Sequence, residues 1–180
     1  MGYAGGTRPN PDYRHIGDHT ETVQVDYDPR RISYADLLAV FWDSHDPLSH
    51  AWSRQYMNVI FYQDEHQRRL AEASKAAVEK KLGRPVGSEV DPLRSFTLAE
   101  DYHQKYLLKQ HYPLKADIAR IYPRHADLIA STAATRLNAY AGGNGSGRQL
   151  AREIDRLGLS DAGRRELTQM VERREAYERR

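Results

Sequence analysis

The sequence of 180 residues contains no cysteine. This absence excludes disulfide bonds, thiolate metal sites and a cysteine nucleophile within the sequence. There is no run of roughly 18 apolar residues, the length from which a membrane-spanning helix is inferred, and the start lacks the layout of a secretory signal. Neither sign of charge is in excess, because 27 lysines and arginines face 25 aspartates and glutamates. We therefore expect a cytoplasmic protein that has neither membrane nor nucleic-acid partners.

Apolar periodicity predicts alternating strands and helices over roughly the first 110 residues. Val23, Val25 and Tyr27 alternate with polar residues, which predicts a strand over 22–27. Ser33 is a predicted N-cap for a helix that runs through Ser44. Further on, the predicted elements are a strand over 58–62, a helix over 64–82 with Leu70, Ala73, Ala77 and Val78 facing inward, a short strand over 87–90 and a helix over 96–110.

The last third of the sequence predicts only helices. Their patterns cover 115–121, 126–141, 148–157 and a final helix capped by Ser160. The glycine-rich segment over 142–147 is followed by no Lys-Ser/Thr pair and preceded by no strand, so we interpret it as a connector and not as a phosphate-binding loop. The sequence thus predicts an α/β domain over 1–112 and a helical C-terminal extension over 113–180.

Glu21 is the first candidate for chemistry. It lies at the start of the predicted strand, and Tyr13 lies upstream in a loop rich in glycine and proline. A carboxyl group at such a position is partly desolvated, which favours its protonated form and makes it a candidate proton donor near neutral pH. From spacing alone, an ordinary exposed carboxylate at a strand edge is the preferred interpretation.

Several motifs in a fixed order resemble the A-type peptide methionine sulfoxide reductases. The run over 2–29 contains Gly-Tyr-Ala-Gly-Gly, then Asn-Pro-Asp-Tyr, then Gly-Asp-His-Thr-Glu-Thr-Val-Gln-Val. The later matching segments are His45-Asp46-Pro47, Gln55-Tyr56-Met57-Asn58-Val59 and Ala99-Glu100-Asp101-Tyr102-His103-Gln104. Together the matches cover roughly the first 110 residues. The resemblance implies a two-layer α/β sandwich with a mixed sheet.

The resemblance also implies an activity and a set of site residues. The activity is the reduction of the S-epimer of methionine sulfoxide, free or in peptides, in protein repair under oxidative stress. Glu21 matches the acid that protonates the sulfoxide oxygen, and Tyr13 and Tyr56 match tyrosines that hydrogen-bond this oxygen. Trp52 is expected to pack against the substrate methyl group, and His19 is expected at the substrate-binding site as a supporting histidine. Since 12 tyrosines are present, a structural role for either tyrosine alone is the competing interpretation.

Thioredoxin or a small thiol is the implied reductant, as a partner and not as a bound cofactor. No cofactor is expected. The eight histidines include no His-Glu-x-x-His pattern, so no metal site is expected either.

The sequence departs from the commoner family pattern in one loop. Only residues 48–54 separate His45-Asp46-Pro47 from Gln55-Tyr56. Most relatives have a longer loop here, with a Gly-Asn-Asp segment whose aspartate helps to bind the substrate oxygen. This aspartate has no counterpart, and Trp52 stands in the shortened loop instead.

A second departure concerns the nucleophile. In the family this is a cysteine in a Gly-Cys-Phe-Trp segment that precedes the Gly-Tyr-Ala-Gly-Gly strand. The thiolate attacks the sulfoxide sulfur and becomes a sulfenic acid, which another thiol resolves. No serine, lysine or histidine replaces it, because sulfur must accept the oxygen. We therefore expect the sequence as written to be inactive alone.

Two accounts of the missing segment stay open. The family position of Met1 is commonly valine, and a valine codon read as an initiator gives methionine, so a start assigned too late explains the sequence. The other account is a true cysteine-less homologue, either a non-catalytic binder of methyl sulfoxides or oxidised peptides or a subunit completed by a partner chain. We favour the first, because loss of a strand from inside the sheet exposes an unpaired edge. We also expect the segment beginning at Gly2 to pair with the strand at 22–27.

Overall fold

A computed structural model of the chain describes residues 1–179. It contains two compact units, of which the first is Met1–Glu100 and the second begins at Asp101. The first unit combines strands and helices, and the second contains helices but no strand in the residues up to 179. The predicted α/β fold class with helices at the C-terminal end is therefore confirmed. The domain boundary after residue 112 stays a prediction, because a compact packing unit need not coincide with a functional domain.

The first unit contains two small sheets. Strand β1 (Gly2–Ala4) lies between β2 (Thr20–Thr22) and β5 (Phe96–Leu98) and is antiparallel to both. Strands β3 (Val59–Tyr62) and β4 (Glu89–Pro92) pair in parallel. Parallel and antiparallel pairings are thus both present, as predicted for a mixed arrangement, but in the described residues they belong to separate sheets.

Two capped helices belong to the same unit as the parallel sheet. Helix α1 (Tyr34–Asp43) begins after Ser33, which forms a reciprocal capping box with the third helical residue. Helix α2 (Glu65–Leu82) begins after Asp64, whose carboxylate accepts a backbone N–H of the first turn. It ends at Gly83, which has a φ of 69° in the left-handed region. Both predicted helices are confirmed, because the signals that start and end them are local.

One apolar core cluster of the first unit lies between α1, α2 and β3. It consists of Leu38, Trp42, Ile60, Ala71 and Val86. Leu70 and Val78 pack against it as predicted, whereas Ala73 and Ala77 are exposed. The prediction for the two alanines is wrong because Ala71 occupies the inward face, and the residues that share this face recur at intervals of three or four.

The predicted strand over 22–27 is wrong in its bounds. Pairing with β1 covers only Thr20–Thr22, and the partner of Thr22 is Gly2. The side chains of Val23 and Val25 are 65% and 56% exposed. An alternating pattern forms a strand only where a second strand supplies hydrogen bonds, and in the described residues none faces 23–27. The Gly2 segment pairs with the predicted strand only at Thr22, because its other two partners, Glu21 and Thr20, precede the predicted range.

The predicted helix over 96–110 is also wrong in its first part. Phe96–Leu98 forms β5 at the edge of β1, and a 3-10 turn follows over Asp101–His103. Only the end of the range, Tyr106–Lys109, is α-helical. The sheet edge offers backbone hydrogen bonds to an aromatic and β-branched segment, and this tertiary pairing overrides the local pattern.

In the described part of the second unit, six α-helices pack around one core. They are α3 (Tyr106–Lys109), α4 (Tyr112–Ile121), α5 (His125–Ala130), α6 (Thr132–Ala141), α7 (Gly147–Glu153) and α8 (Asp161–Glu178). The predicted single helix over 126–141 is interrupted at Ser131, which is extended and caps α6. The glycine-rich segment connects α6 to α7, as predicted.

Asp117 fixes the start of the last helix. Its carboxylate is buried, and its Oδ2 accepts the backbone N–H and the hydroxyl of Ser160, both at 2.9 Å. Ser160 in turn caps α8 by accepting the N–H of Gly163. A Cβ at Gly163 would lie 2.2 Å from Asp117 Oδ2, so this close approach requires glycine.

Among residues 1–179, no helix combines the length and the apolarity that crossing a membrane requires.

Candidate functional site

Glu21 lies on the edge strand of the antiparallel sheet. It stands opposite Tyr3 in the β1–β2 register and is partly buried. The side-chain amide of Gln55 donates a hydrogen bond to Glu21 Oε1 at 2.7 Å. This contact fixes the direction of a carboxyl group that would otherwise rotate freely at a sheet edge.

The same amide of Gln55 reaches the second predicted residue. Its Nε2 donates to the hydroxyl of Tyr56 at 3.0 Å. The Tyr56 hydroxyl is also hydrogen-bonded to the side chain of Tyr13. Glu21, Gln55, Tyr56 and Tyr13 therefore form one continuous chain of hydrogen bonds. The structure brings all three predicted catalytic residues together, and Gln55 is the link that was not singled out from the sequence.

The hydrogen bond between the two tyrosines affects the ionisation of Tyr56. This bond is the main cause that holds the pKa of Tyr56 above its ordinary value, and partial burial and the nearby Glu21 carboxylate act in the same direction. The hydrogen bond from Gln55 opposes the shift. The Tyr56 hydroxyl thus keeps its proton at neutral pH and is available as a donor.

A short 3-10 turn over Arg54–Tyr56 carries two of these side chains. The guanidinium of Arg54 donates to Glu89 at 2.9 Å and to Asp91 at 3.2 Å, and both carboxylates belong to β4. The hydroxyl of Thr20 on β2 donates to the Arg54 carbonyl at 2.9 Å. The turn is thereby tied to both sheets, and this double attachment positions Gln55 and Tyr56 relative to Glu21.

Glu100 holds the loop that carries Tyr13. Its Oε1 accepts the backbone N–H of Tyr13 at 2.9 Å, and its Oε2 accepts the hydroxyl of the buried Tyr3 at 2.7 Å. One carboxylate therefore connects the loop to the central strand of the antiparallel sheet. Glu100 was matched in the sequence only as part of a motif, because its partners lie about ninety residues away in the chain.

His19 lies inside the loop and is 2% exposed. Its Nδ1 accepts the N–H of Gly6 at 3.2 Å, and its Nε2 lies 2.8 Å from the Arg8 carbonyl and donates to it. This pairing fixes the tautomer, with the proton on Nε2. A Cβ at Gly6 would lie 2.6 Å from the imidazole, so only glycine fits here. Both ring nitrogens form hydrogen bonds with backbone groups. A direct contact of His19 with substrate stays a prediction.

Asp18 completes the same loop. Its carboxylate accepts the N–H and the hydroxyl of Thr7 and the N–H of Arg8, at 2.8–3.1 Å. Hydrogen bonding from the Thr7 side chain, and then from the backbone N–H groups of Arg8 and Thr7, holds the pKa of Asp18 well below its usual range. The loop is thus a compact structure held by polar contacts.

Trp52 stands at the rim of the site. Its side chain is 83% exposed, and its ring centroid lies 5.1 Å from that of Tyr56. Two adjacent aromatic rings at this distance form an apolar wall beside the hydroxyl of Tyr56. The two tyrosine side chains are 43% (Tyr13) and 41% (Tyr56) exposed, so the hydrogen-bonded chain is open to solvent on one side.

The arrangement combines an acid, two phenolic donors and an apolar wall. Such a set can bind a hydrogen-bond acceptor that carries a small apolar group, and it can transfer a proton to it. The sequence contains no thiol. Among residues 1–179, no three His, Cys, Asp or Glu side chains are grouped in a way that would hold a metal ion.

Comparisons with known proteins identify the family of this chain. The sequence model of a family described as peptide methionine sulfoxide reductase matches residues 1–136. A peptide methionine sulfoxide reductase of Drosophila melanogaster is 38% identical over 177 residues, which are 97% of this chain and 71% of the relative. Peptide methionine sulfoxide reductase A5 of Oryza sativa is 42% identical over 147 residues, which are 78% of this chain and 57% of the relative.

Shorter matches include a protein of Salinispora arenicola and a solved structure. Peptide methionine sulfoxide reductase MsrA of Salinispora arenicola is 40% identical over 126 residues, 63% of this chain and 57% of the relative. The crystal structure of Mxr1 from Saccharomyces cerevisiae in an unusual oxidized form is 29% identical, covers 60% of this chain and 64% of its own, and has a TM-score of 0.49. The chain thus spans 57% to 71% of the length of these three relatives. It belongs to the peptide methionine sulfoxide reductase family, of the A type.

Proposed function

We propose that the first unit binds the sulfoxide group of methionine sulfoxide, free or in a peptide, and donates a proton to its oxygen. The observation that carries this proposal is the continuous hydrogen-bonded chain from Glu21 through Gln55 and Tyr56 to Tyr13. Family membership supplies the chemical class of the substrate. The S-epimer is the stereoisomer that the resemblance implies.

Each side chain has a defined task in this proposal. The sulfoxide oxygen accepts hydrogen bonds from the hydroxyls of Tyr13 and Tyr56 as it enters the open side of the site. Glu21, in its protonated form, transfers its proton to this oxygen as the S–O bond breaks. Trp52, next to Tyr56, provides the apolar surface for the substrate methyl group. His19 contributes by holding the loop before β2.

The reduction itself requires a sulfur nucleophile. A thiolate attacks the sulfoxide sulfur, the S–O bond breaks, and the oxygen ends on the attacking sulfur as a sulfenic acid while methionine is released. A second thiol, from thioredoxin or a small molecule, then reduces the sulfenic acid. None of the 180 residues supplies the first thiol, so we propose that a further segment or a partner chain places it at this site and that a freely diffusing thiol does not replace it. A cytoplasmic site of action and a role in protein repair under oxidative stress belong to the same proposal.

One observation favours the account in which a further strand, from outside the 180 residues, completes the first unit and supplies the thiol. Val23 and Val25 follow β2 in the chain, and both are exposed although their sequence alternates as in a strand. An additional strand that paired with 23–27 would cover these side chains and satisfy the backbone groups. The alternative proposal is a protein that binds methyl sulfoxides or oxidised peptides and does not catalyse their reduction.

A binding experiment tests the recognition step. Isothermal titration with N-acetyl-methionine-(S)-sulfoxide amide should show saturable binding that the corresponding sulfide does not show. Gln55→Met should weaken this binding about fivefold, the effect of about one hydrogen bond, because the amide orients both Glu21 and Tyr56. Glu172→Gln, at an exposed position of α8, serves as the control. Equal binding of sulfoxide and sulfide would contradict the proposal.

A turnover experiment tests whether a freely diffusing thiol can replace the missing nucleophile. The purified 180-residue chain should not reduce methionine sulfoxide with dithiothreitol or thioredoxin, since it has no sulfur nucleophile. Turnover clearly above a control without protein would show that a different mechanism operates.

A further inference from the structure

The second unit contains a cavity that the sulfoxide chemistry does not use. It has a volume of about 340 Å³ and lies along α4, α5 and the residues around α3. Its inner surface is formed by Leu108, Ile118 and Leu128, which are buried in the core of the unit, and by Tyr122. A cavity of this size falls at the lower end of the range for small-molecule sites, roughly 300–1,000 Å³.

The charged groups at this cavity are mainly cationic. Lys109 and Lys115 both line it. The one carboxylate in the lining, Asp101, has its Oδ1 at 3.0 Å from Nε2 of His125, a further lining residue. Lys109 Nζ donates to the backbone carbonyl of Asp101 at 2.5 Å, and within the part of the chain that the structure describes Lys115 has no ion pair. The cavity is therefore lined by two ammonium groups and a single carboxylate.

The environment of Lys109 agrees with a local excess of positive charge. Burial is the main cause that lowers the pKa of Lys109; the Asp101 carboxylate opposes this shift, and the neighbouring Lys115 adds to it. Lys115 is thus close enough to repel the ammonium of Lys109. A bound anion would relieve this repulsion and the desolvation of Lys109 together.

We propose that this cavity binds a small organic anion, a monocarboxylate with an aromatic or branched aliphatic body. The carboxylate would lie between Lys109 and Lys115, and the body would lie against Tyr122 and the buried leucines and isoleucine. At roughly 30 Å³ per atom, the share of one water in the liquid, the cavity has room for about ten non-hydrogen atoms. The match to the Drosophila melanogaster relative, over 97% of this chain, includes this unit.

The test uses the full chain and benzoate as the probe. Benzoate combines a carboxylate with a flat apolar body, benzamide has nearly the same shape without the charge, and inorganic phosphate has charge without an apolar body. Amide resonances of ¹⁵N-labelled protein are followed during each titration. Benzoate should shift the resonances of α4 and α5 saturably, and benzamide and phosphate should each bind at least about fivefold more weakly, because each lacks one of the two contacts.

Two lysine variants localise the effect. Lys115→Met should weaken benzoate binding about fivefold while the melting temperature stays unchanged, because this side chain is exposed. Lys80→Met, at an exposed position of α2 in the first unit, should leave it unchanged. The proposal is overturned if benzamide binds as well as benzoate, if phosphate alone accounts for the affinity, or if the Lys115 variant binds benzoate like the parent. These results leave the sulfoxide proposal untouched, since that site lies in the other unit.

Discussion

The two units of this chain are stabilised in different ways. The second unit has twelve buried residues in one continuous core, whereas the cluster between α1, α2 and β3 in the first unit has five, with Tyr3, Ala4 and Ala99 buried outside it. The first unit also depends on polar contacts, such as the Arg54 ion pairs to β4 and the hydrogen bonds around Asp18. It also exposes Val23, Val25 and Trp52. The comparison indicates that apolar burial contributes more to the stability of the second unit than to that of the first.

The strongest test of this contrast is a truncation in the larger core. Leu167 on α8 is fully buried, so Leu167→Ala should lower the free energy of unfolding by about 3 kcal/mol. Val25→Ala, at a position 56% exposed, should change it by less than about 0.5 kcal/mol. Urea unfolding followed by circular dichroism gives both values. Similar effects of the two substitutions would mean that the second unit lacks the packed core described above.

A smaller effect is expected at the polar anchor of α8. Asp117→Ala should cost about 2 kcal/mol, because it leaves the N–H and the hydroxyl of Ser160 without their acceptor. Asp117→Asn keeps one carbonyl acceptor in the same shape and should recover part of this loss. The measurement is again the free energy of unfolding in urea. If the alanine variant is as stable as the parent, Asp117 does not anchor the helix.

The polar loop of the first unit should show a dependence on pH. The pKa of Asp18 is depressed in the folded chain, so its stabilisation is fully present above the unfolded pKa of about 4 and is lost as the pH falls below it. Asp18→Asn should therefore lower the melting temperature at pH 7. The difference between variant and parent should narrow progressively below about pH 4. A difference that does not change with pH would show that the charge of Asp18 contributes nothing.

The smallest effect on stability is expected at Trp52. Since the side chain is 83% exposed, Trp52→Ala should change the free energy of unfolding by less than about 0.5 kcal/mol. The same substitution should weaken sulfoxide binding, because it removes the aromatic surface beside Tyr56. Thermal unfolding and isothermal titration on one sample separate the two effects. Unchanged sulfoxide binding would show that Trp52 does not contribute to the site.

The sequence predicted the helices better than the strands, and the reason is physical. Ser33, Asp64 and Ser160 start helices through contacts within one turn, so their role is visible in the local sequence. Strands depend on a partner. The segment over 22–27 has the right alternation but pairs only as far as Thr22, and Phe96–Leu98 became a strand because β1 lies beside it.

For the candidate site too, residues with a local sequence signal were predicted and contacts that depend on tertiary structure were not. Glu21, Tyr13 and Tyr56 were found through motifs, and the fold brings them within one hydrogen-bonded chain. Gln55 and Glu100 were quoted only as parts of motifs and were given no role. Their contacts depend on residues far away in the sequence. No local pattern encodes such contacts.

The central claim is that the chain formed by Glu21, Gln55, Tyr56 and Tyr13 is the site that receives the sulfoxide oxygen. The most direct measurement follows the side-chain amide resonances of Gln55 while methionine sulfoxide is added as its separate epimers. The S-epimer should shift these resonances saturably and lose this effect in Glu21→Gln, a near-isosteric change that replaces the carboxyl with an amide. The R-epimer and methionine itself should shift them much less. If the two epimers and methionine act alike, or if the Gln55 amide does not respond, the sulfoxide does not bind at this chain of residues and the account is wrong.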